Sequence, residues 1–165
     1  MQAKVMTLKL ALLLAVLGAV TVSARAQRVE VYGGAQFSHL EPSFNGAGWD
    51  ASLTGDFKHI LGITADFSGA YNRGVHAHTY TFGPVLTARL PIVQPFVHAL
   101  FGGINVSDGG SSANGFAMFV GGGLDAGLRK GIGIRLVQVD WLSTHNSGVT
   151  FNRNVRASAG IVLKF

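Results

Sequence analysis

The 165-residue chain has no cysteine and only four prolines, and Asp, Glu, Lys and Arg make up just 13% of it. Without cysteine there is neither a disulfide to staple a small secreted domain nor a thiol for a lipoprotein anchor. A soluble domain needs a surface that is about 25–35% charged, so this composition argues against a solvated exterior. Helical patterning is also scarce. Few stretches repeat apolar residues at helical spacing, and each of the 23 glycines would weaken a helix by about 1 kcal/mol relative to alanine. Beyond residue 26 no apolar run approaches the roughly 20 residues that a spanning helix requires.

The N-terminus reads as a cleavable signal peptide over residues 1–26. Lys4 and Lys9 give a basic start, Leu8 to Val22 is apolar, and Ala24-Arg25-Ala26 fits the small-x-small rule for signal peptidase. Removing Lys4, Lys9 and Arg25 from thirteen basic residues leaves ten against eight acidic ones, a formal charge of +2. That balance, with no aromatic-basic clustering and no basic helix, gives no reason to expect nucleic acid as a partner. One domain, residues 27–165, remains.

Within it, eight segments alternate as strands: 29–38, 48–57, 60–69, 78–89, 93–104, 115–128, 131–142 and 154–165. The last is the clearest. Val155, Ala157, Ala159, Ile161, Leu163 and Phe165 are apolar, and Arg156, Ser158, Gly160, Val162 and Lys164 lie between them. No helix or second layer is available to cover such a face, so it is expected to meet lipid. The connections alternate in length. Long polar gaps at 39–47, 70–77, 105–114 and 143–153 are expected as external loops, and tight turns are expected near Lys58-His59, Leu90-Pro91-Ile92 and Arg129-Lys130.

The facing pattern puts polar residues inside a barrel and apolar ones outside. In 48–57, Asp50, Ser52, Thr54 and Asp56 oppose Trp49, Ala51, Leu53 and Phe57; in 60–69, Gly62, Thr64, Asp66 and Ser68 oppose Leu61, Ile63, Ala65 and Phe67; in 78–89, Thr79, Thr81, Thr87 and Arg89 oppose Tyr80, Phe82, Pro84, Leu86 and Ala88. The expected lumen holds Glu30, Asp50, Asp56, Asp66 and Asp125 with Arg89, Arg135, Arg156 and Lys164, together with Gln36, Gln94 and His98. Eight strands leave an interior just wide enough for side chains, so these charges are expected to form a structural plug rather than a water path. The segment 131–142 breaks the pattern. If Ile132, Ile134 and Leu136 face out, Gln138 and Asp140 fall on the lipid face unless a β-bulge shifts the phase near Val137; alternatively, Asp140 lies at the outer rim. Phe37, Trp49, Phe67, Tyr71, Tyr80, Phe101, Phe116 and Trp141 lie toward the long-loop end, and Phe57 and Phe165 toward the other, as two aromatic girdles would.

The chain thus resembles the small eight-stranded outer-membrane β-barrels that include the membrane domain of outer-membrane protein A. The likeness spans residues 27–165 and rests on Val29-Glu30-Val31-Tyr32-Gly33-Gly34, Gly121-Gly122-Gly123-Leu124-Asp125, Ile134-Arg135, and Arg156 to Ile161 leading to Phe165. It implies an all-β, antiparallel, up-and-down transmembrane barrel in a bacterial outer membrane, with outer-membrane lipids as its surroundings. It also implies that Ile161, Leu163 and Phe165 form the signal read by the barrel-assembly machinery. Larger members carry a peptidoglycan-binding domain after the barrel; no residues follow Phe165, so tethering by that route is not expected.

The expected function is structural, or interactive through the external loops, with no cofactor. A narrow porin-like channel is the alternative, and a lipid A-modifying enzyme is a third reading. The resemblance supplies that last reading with a histidine, a serine and a carboxylate near the rim; His145 with Ser147, or His39 with Ser38 and Glu41, would be the members. His76 and His78 are spaced to share one side of a strand, as a metal site would want, yet no acidic or cysteine cluster accompanies them, and solvated histidines are the simpler expectation.

Overall fold

The computed structural model describes residues 28–146 and 148–165; the expected signal peptide, 1–26, lies outside them. Eight antiparallel strands follow in sequence order: β1 (Val29–Leu40), β2 (Phe44–Asp56), β3 (Leu61–Asn72), β4 (Val75–Thr87), β5 (Val93–Asp108), β6 (Ser111–Arg129), β7 (Ile132–Asn146) and β8 (Val149–Lys164). Each strand pairs with its neighbour in sequence, and β1 pairs with β8 from Glu30↔Lys164 to His39↔Val155, which closes the barrel. Closure satisfies the edge groups that an open sheet would expose to lipid.

The expected external loops are mostly strand. Glycine, asparagine and serine in 39–47, 70–77, 105–114 and 143–153 read as loop composition, but the sheet continues through them and the connections shrink to 41–43, 73–74, 109–110 and 147–148. At 73–74 Arg73 and Gly74 both take positive φ, 45° and 88°, which suits a two-residue hairpin turn. At the opposite end the connections are 57–60, 88–92 and 130–131, so the alternation lies in strand overhang rather than in loop length.

The phase conflict in the seventh strand resolves as a bulge. Leu124 pairs with Val137 and Asp125 with Arg135 on one side, and Arg135 pairs with Gly160 and Gln138 with Ser158 on the other. Leu136 is the extra residue. Leu136 and Val137 both face outward, and Gln138 and Asp140 turn into the lumen. Asp140 is 0% exposed, which excludes the outer-rim placement.

Between the two rims the outward positions carry no Asp, Glu, Lys or Arg among the described residues. Trp49 to Phe57 spans about 26 Å of strand at about 3.3 Å per residue, or about 20 Å along the membrane normal at a tilt of about 40°, near the roughly 25 Å apolar band of such barrels. Trp49, Phe67, Tyr80, Phe101, Phe116 and Trp141 are all exposed toward one rim, and Phe57 and Phe165 toward the other.

Beyond the upper aromatic girdle the two faces exchange character. Outside, polar cross-strand pairs take over: His39 with Asn45 at 2.6 Å, Tyr71 with His78 at 3.1 Å, Asn105 with Asn114 at 2.8 Å, Ser143 with Asn152 at 2.7 Å and His145 with Thr150 at 2.7 Å. Inside, Leu40, Ala77, Leu100, Ile104, Ala117, Phe119 and Leu142 form a buried apolar cluster, with Phe44 and Val106 packed against it. That is the arrangement of a water-soluble barrel, and it begins where the lipid-facing band ends. The expected polar lumen therefore occupies only the membrane-embedded part.

Candidate functional site: the barrel interior

Alternation along each strand delivers the inward side chains, and they stack in three tiers. At the inner end Arg89 reaches the Asp56 carboxylate and donates to the His59 carbonyl, and it lies 3.9 Å from Glu30. Lys164 lies 3.7 Å from Glu30 and donates to Gln94. Two cations and two carboxylates balance there.

The middle tier is a continuous chain of charge-assisted bonds. Arg135 holds Asp125 with two donors, at 2.8 and 3.2 Å, and donates to Gln138 Oε1 at 2.7 Å. Its guanidinium lies 4.2 Å from the ring centres of both Tyr32 and Phe96, so the faces it does not use for hydrogen bonds are covered by aromatic rings. Gln138 Nε2 donates to Asp140 Oδ2 at 2.8 Å, and His98 Nε2 donates to Asp140 Oδ1 at 2.6 Å. Arg156, 1% exposed, donates to Asp140 from Nε at 2.8 Å and from Nη2 at 2.6 Å, and to Asp66 at 2.7 and 3.2 Å. Asp50 stands 3.6 Å from Arg156 without a hydrogen bond. Gly121, inside β6 and opposite Asp140, leaves room for this carboxylate; a Cβ there would collide with Asp140 Oδ1.

The third tier is the apolar cluster, and Arg156 joins the two by lying 4.6 Å from the Phe119 ring centre. The space left in the lumen is small. A cavity of about 10 Å³, lined by Glu30, Thr64, Asp66, Phe96, His98 and Arg135 among others, has room for about one water. Such an interior can hold charge in fixed geometry.

No family model matches the chain, and no curated protein matches it. Solved structures do. The chain is similar to neisserial surface protein A at 14% identity with a TM-score of 0.62, covering 87% of this chain and 99% of that one. It is similar to the N-terminal β-barrel domain of Pseudomonas aeruginosa OprF at 13% identity with a TM-score of 0.63, covering 84% and 97%. It also matches Yersinia pestis outer membrane protein Ail in a phospholipid bilayer nanodisc, at 16% identity with a TM-score of 0.53, covering 86% and 100%. The fold is that of the small eight-stranded outer-membrane β-barrels.

In this outer-membrane barrel fold, the lumen residues expected from sequence all point inward: Glu30, Gln36, Asp50, Asp56, Asp66, Arg89, Gln94, His98, Asp125, Arg135, Arg156 and Lys164. Gln138, Asp140 and Tyr32 join them and were not in the expected set. The phase break before Gln138 was the signal for the first two, and for Tyr32 it was alternation, since it shares the parity of Glu30 and Gln36. Ile161, Leu163 and Phe165 lie on the exterior. The histidine constellations fare differently. Ser38 is buried in the lumen, His39 faces out on Asn45, and Glu41 accepts from the Arg153 amide at 3.3 Å, so these three do not converge. His145 is occupied by Thr150, and Ser147 lies outside the described residues. His76 and His78 share the outward face with Tyr71, whose ring meets theirs edge-on at 5.2 and 5.6 Å. No group of three His, Cys, Asp or Glu is arranged to hold a metal among the described residues.

Proposed function

We propose that the protein is a closed, non-conducting barrel of the bacterial outer membrane whose role is structural and whose four hairpin tips meet the exterior. The observation that carries this reading is the filled lumen. A solute would have to cross the Arg89 and Lys164 tier, then the Arg156 tier, then a layer of leucine, isoleucine and phenylalanine. Removing one member of a buried ion pair costs about 3–5 kcal/mol, and at the height of the apolar layer the buried polar side chains Thr79 and Asn154 are already hydrogen-bonded to Ser68 and Thr144. The charge-free outer band supports residence in a bilayer, with lipids as its surroundings. The fold it shares with surface protein A and Ail supports the outer membrane as the compartment. In this reading Ile161, Leu163 and Phe165 form the signal recognised by the assembly machinery, and the hairpin tips, rather than long loops, are the surface offered to a partner.

Reconstitution into planar lipid bilayers tests the reading, once heat-modifiable gel mobility shows a folded barrel. A silent membrane is expected. Steady discrete conductance that changes when Arg135 or Asp66 is replaced would establish the narrow pore instead. Altered lipid A in cells expressing the protein, lost on replacing His145, would establish the enzyme.

A further inference from the structure

The outer surface is not uniform at the inner end of the barrel. The Thr87 amide donates to the Ile60 carbonyl at 2.8 Å and the Ala88 amide to the Pro95 carbonyl at 2.9 Å, while Leu86 pairs with Val97. These bonds bring Ile60, Leu86, Ala88, Pro95 and Val97 onto one stretch of wall across β3, β4 and β5. Ala88 and Pro95 are short side chains among bulkier ones, and Thr87 and Phe96 between them turn inward. The result is an open groove of about 300 Å³ whose walls are almost entirely apolar. That volume is at the low end of sites that hold a small molecule, about 300–1,000 Å³. Ile60, Leu86 and Val97 are 60%, 48% and 57% exposed, so no described part of the chain covers the groove.

The charges beside it are of one sign. Arg28, Lys58, His59, Arg129 and Lys130 are exposed at this end. Its acidic side chains, Glu30, Asp56 and Asp125, are buried and face Arg89, Lys164 and Arg135 in the lumen. The opposite rim is mixed, with exposed Asp108 and half-buried Glu41 beside exposed Arg73 and Arg153. Two basic turns flank the strands that carry the groove. The 57–60 turn supplies Ile60 itself, and Arg89 fixes it against β4 by donating to the His59 carbonyl. On the other side the Gly127 amide, just before Arg129 and Lys130, bonds to the Ile92 carbonyl at 3.1 Å. Lys58 and His59 thus stand beside the groove at the height of Phe57, where an aromatic girdle marks the passage from hydrocarbon to headgroups.

A groove that opens sideways into hydrocarbon gains little by excluding water, but a chain seated in it touches the walls on several sides, and packing of that kind drives association within lipid. Basic side chains at the end of the groove attract an anionic headgroup. A phospholipid carries a hydrocarbon chain and a phosphate in that order along the membrane normal. A zwitterionic headgroup brings its own ammonium to the phosphate and gains less from the basic turn. We infer that the groove holds an acyl chain of an anionic phospholipid of the inner leaflet, with its headgroup against Lys58 and His59. The site makes this end of the barrel a lipid-selective surface. It requires only that the barrel reside in a bilayer, and it is independent of whether the lumen conducts.

Native mass spectrometry of the folded barrel, released from detergent micelles containing either phosphatidylglycerol or phosphatidylethanolamine, tests the site. One phosphatidylglycerol should stay bound, at a lipid concentration about tenfold below that needed for phosphatidylethanolamine. Ala88→Trp, which fills the groove from an outward position, should abolish the bound lipid while heat-modifiable gel mobility persists. Ala159→Trp, outward on β8 across the barrel, should leave it bound. Lys58→Gln together with His59→Gln should cut the preference for phosphatidylglycerol by about fivefold, and that variant serves if Ala88→Trp does not fold. Equal retention of the two lipids, or phosphatidylglycerol held as well by Ala88→Trp as by the wild type, would overturn the site. So would a dimer mass in place of the lipid adduct, lost in Ala88→Trp, since a second copy would then be what covers the groove.

Discussion

Replacing Arg156 with methionine should be the most damaging single change in the lumen. The side chain makes four hydrogen bonds, two to Asp66 and two to Asp140, and lies over Phe119. Methionine keeps much of the volume and the contact with Phe119, so the loss is electrostatic. Asp66 has no other hydrogen-bonding partner on its carboxylate among the described residues, whereas Asp140 keeps Gln138 and His98. Stranding a buried charge in this way costs about 3–5 kcal/mol, a fall in the folded-to-unfolded ratio of between about a hundredfold and a few thousandfold. Urea titration of the barrel in lipid measures it, with Trp49 and Trp141, both in the upper girdle, as fluorescence probes. The sign of a second change is the sharper test. Asp66→Leu should destabilise the wild type, because it strips Arg156 of a partner, and should recover at least about 1 kcal/mol in the Arg156→Met background, because it removes an orphan. A loss below about 1 kcal/mol in Arg156→Met, or the same penalty for Asp66→Leu in both backgrounds, would refute the reasoning.

Three further outcomes are expected. Leu53→Arg, midway between Trp49 and Phe57 on the lipid face, should cost about 2–4 kcal/mol in lipid-dependent unfolding, whereas His76→Arg, above the girdle, should cost about 0–1 kcal/mol. Gly121→Ala should lower stability by about 1–3 kcal/mol, read by urea midpoint, because a Cβ there meets the Val139 carbonyl as well as Asp140 Oδ1, and Asp140→Ala in the same chain should leave most of that penalty in place. Deleting Leu136 should leave a folded barrel on a heat-modifiability gel, because it straightens the bulge and keeps Arg135, Gln138 and Asp140 inward; deleting Val139 should abolish folding, because it turns Asp140 to the lipid.

The sequence carried most of the architecture because alternation is a strong signal when one face is lipid and the other is closed. Asp50 to Asp56 and Thr64 to Ser68 could be assigned to the lumen from period alone, and the conflict at Gln138 located the bulge to within a residue or two of Leu136. What alternation does not carry is which solvent lies outside at a given height. Leu40, Ile104 and Leu142 look like lipid-facing residues in a list of apolar positions, although they share the parity of Gln36, His98 and Asp140 and point inward above the girdle. The hairpins were hidden for a related reason. Residues such as Asn105, Ser107, Ser112 and Asn114 have low strand propensity and read as loop, but propensity in a sheet reflects the neighbours a side chain meets. Here those neighbours are each other across the β5–β6 pair, in water.

The exchange of faces bears on the closed lumen proposed above. Below the girdle, lipid covers apolar side chains outside, and the interior must therefore satisfy polar ones; above it, water covers polar side chains and the interior is free to be apolar. Arg156 sits at the junction, its charge turned to Asp66 and Asp140 and its planar face to Phe119. An ion-pair tier alone could be loosened by hydration, and an apolar tier alone could part if the hairpins splayed. Stacked, each protects the other: the apolar layer keeps water from the ion pairs, where screening would weaken them, and the ion pairs fix the strands on which Phe119, Leu100 and Leu142 stand. The two halves of the molecule obey opposite patterning rules for one physical reason, since each face takes the polarity that its surroundings can satisfy.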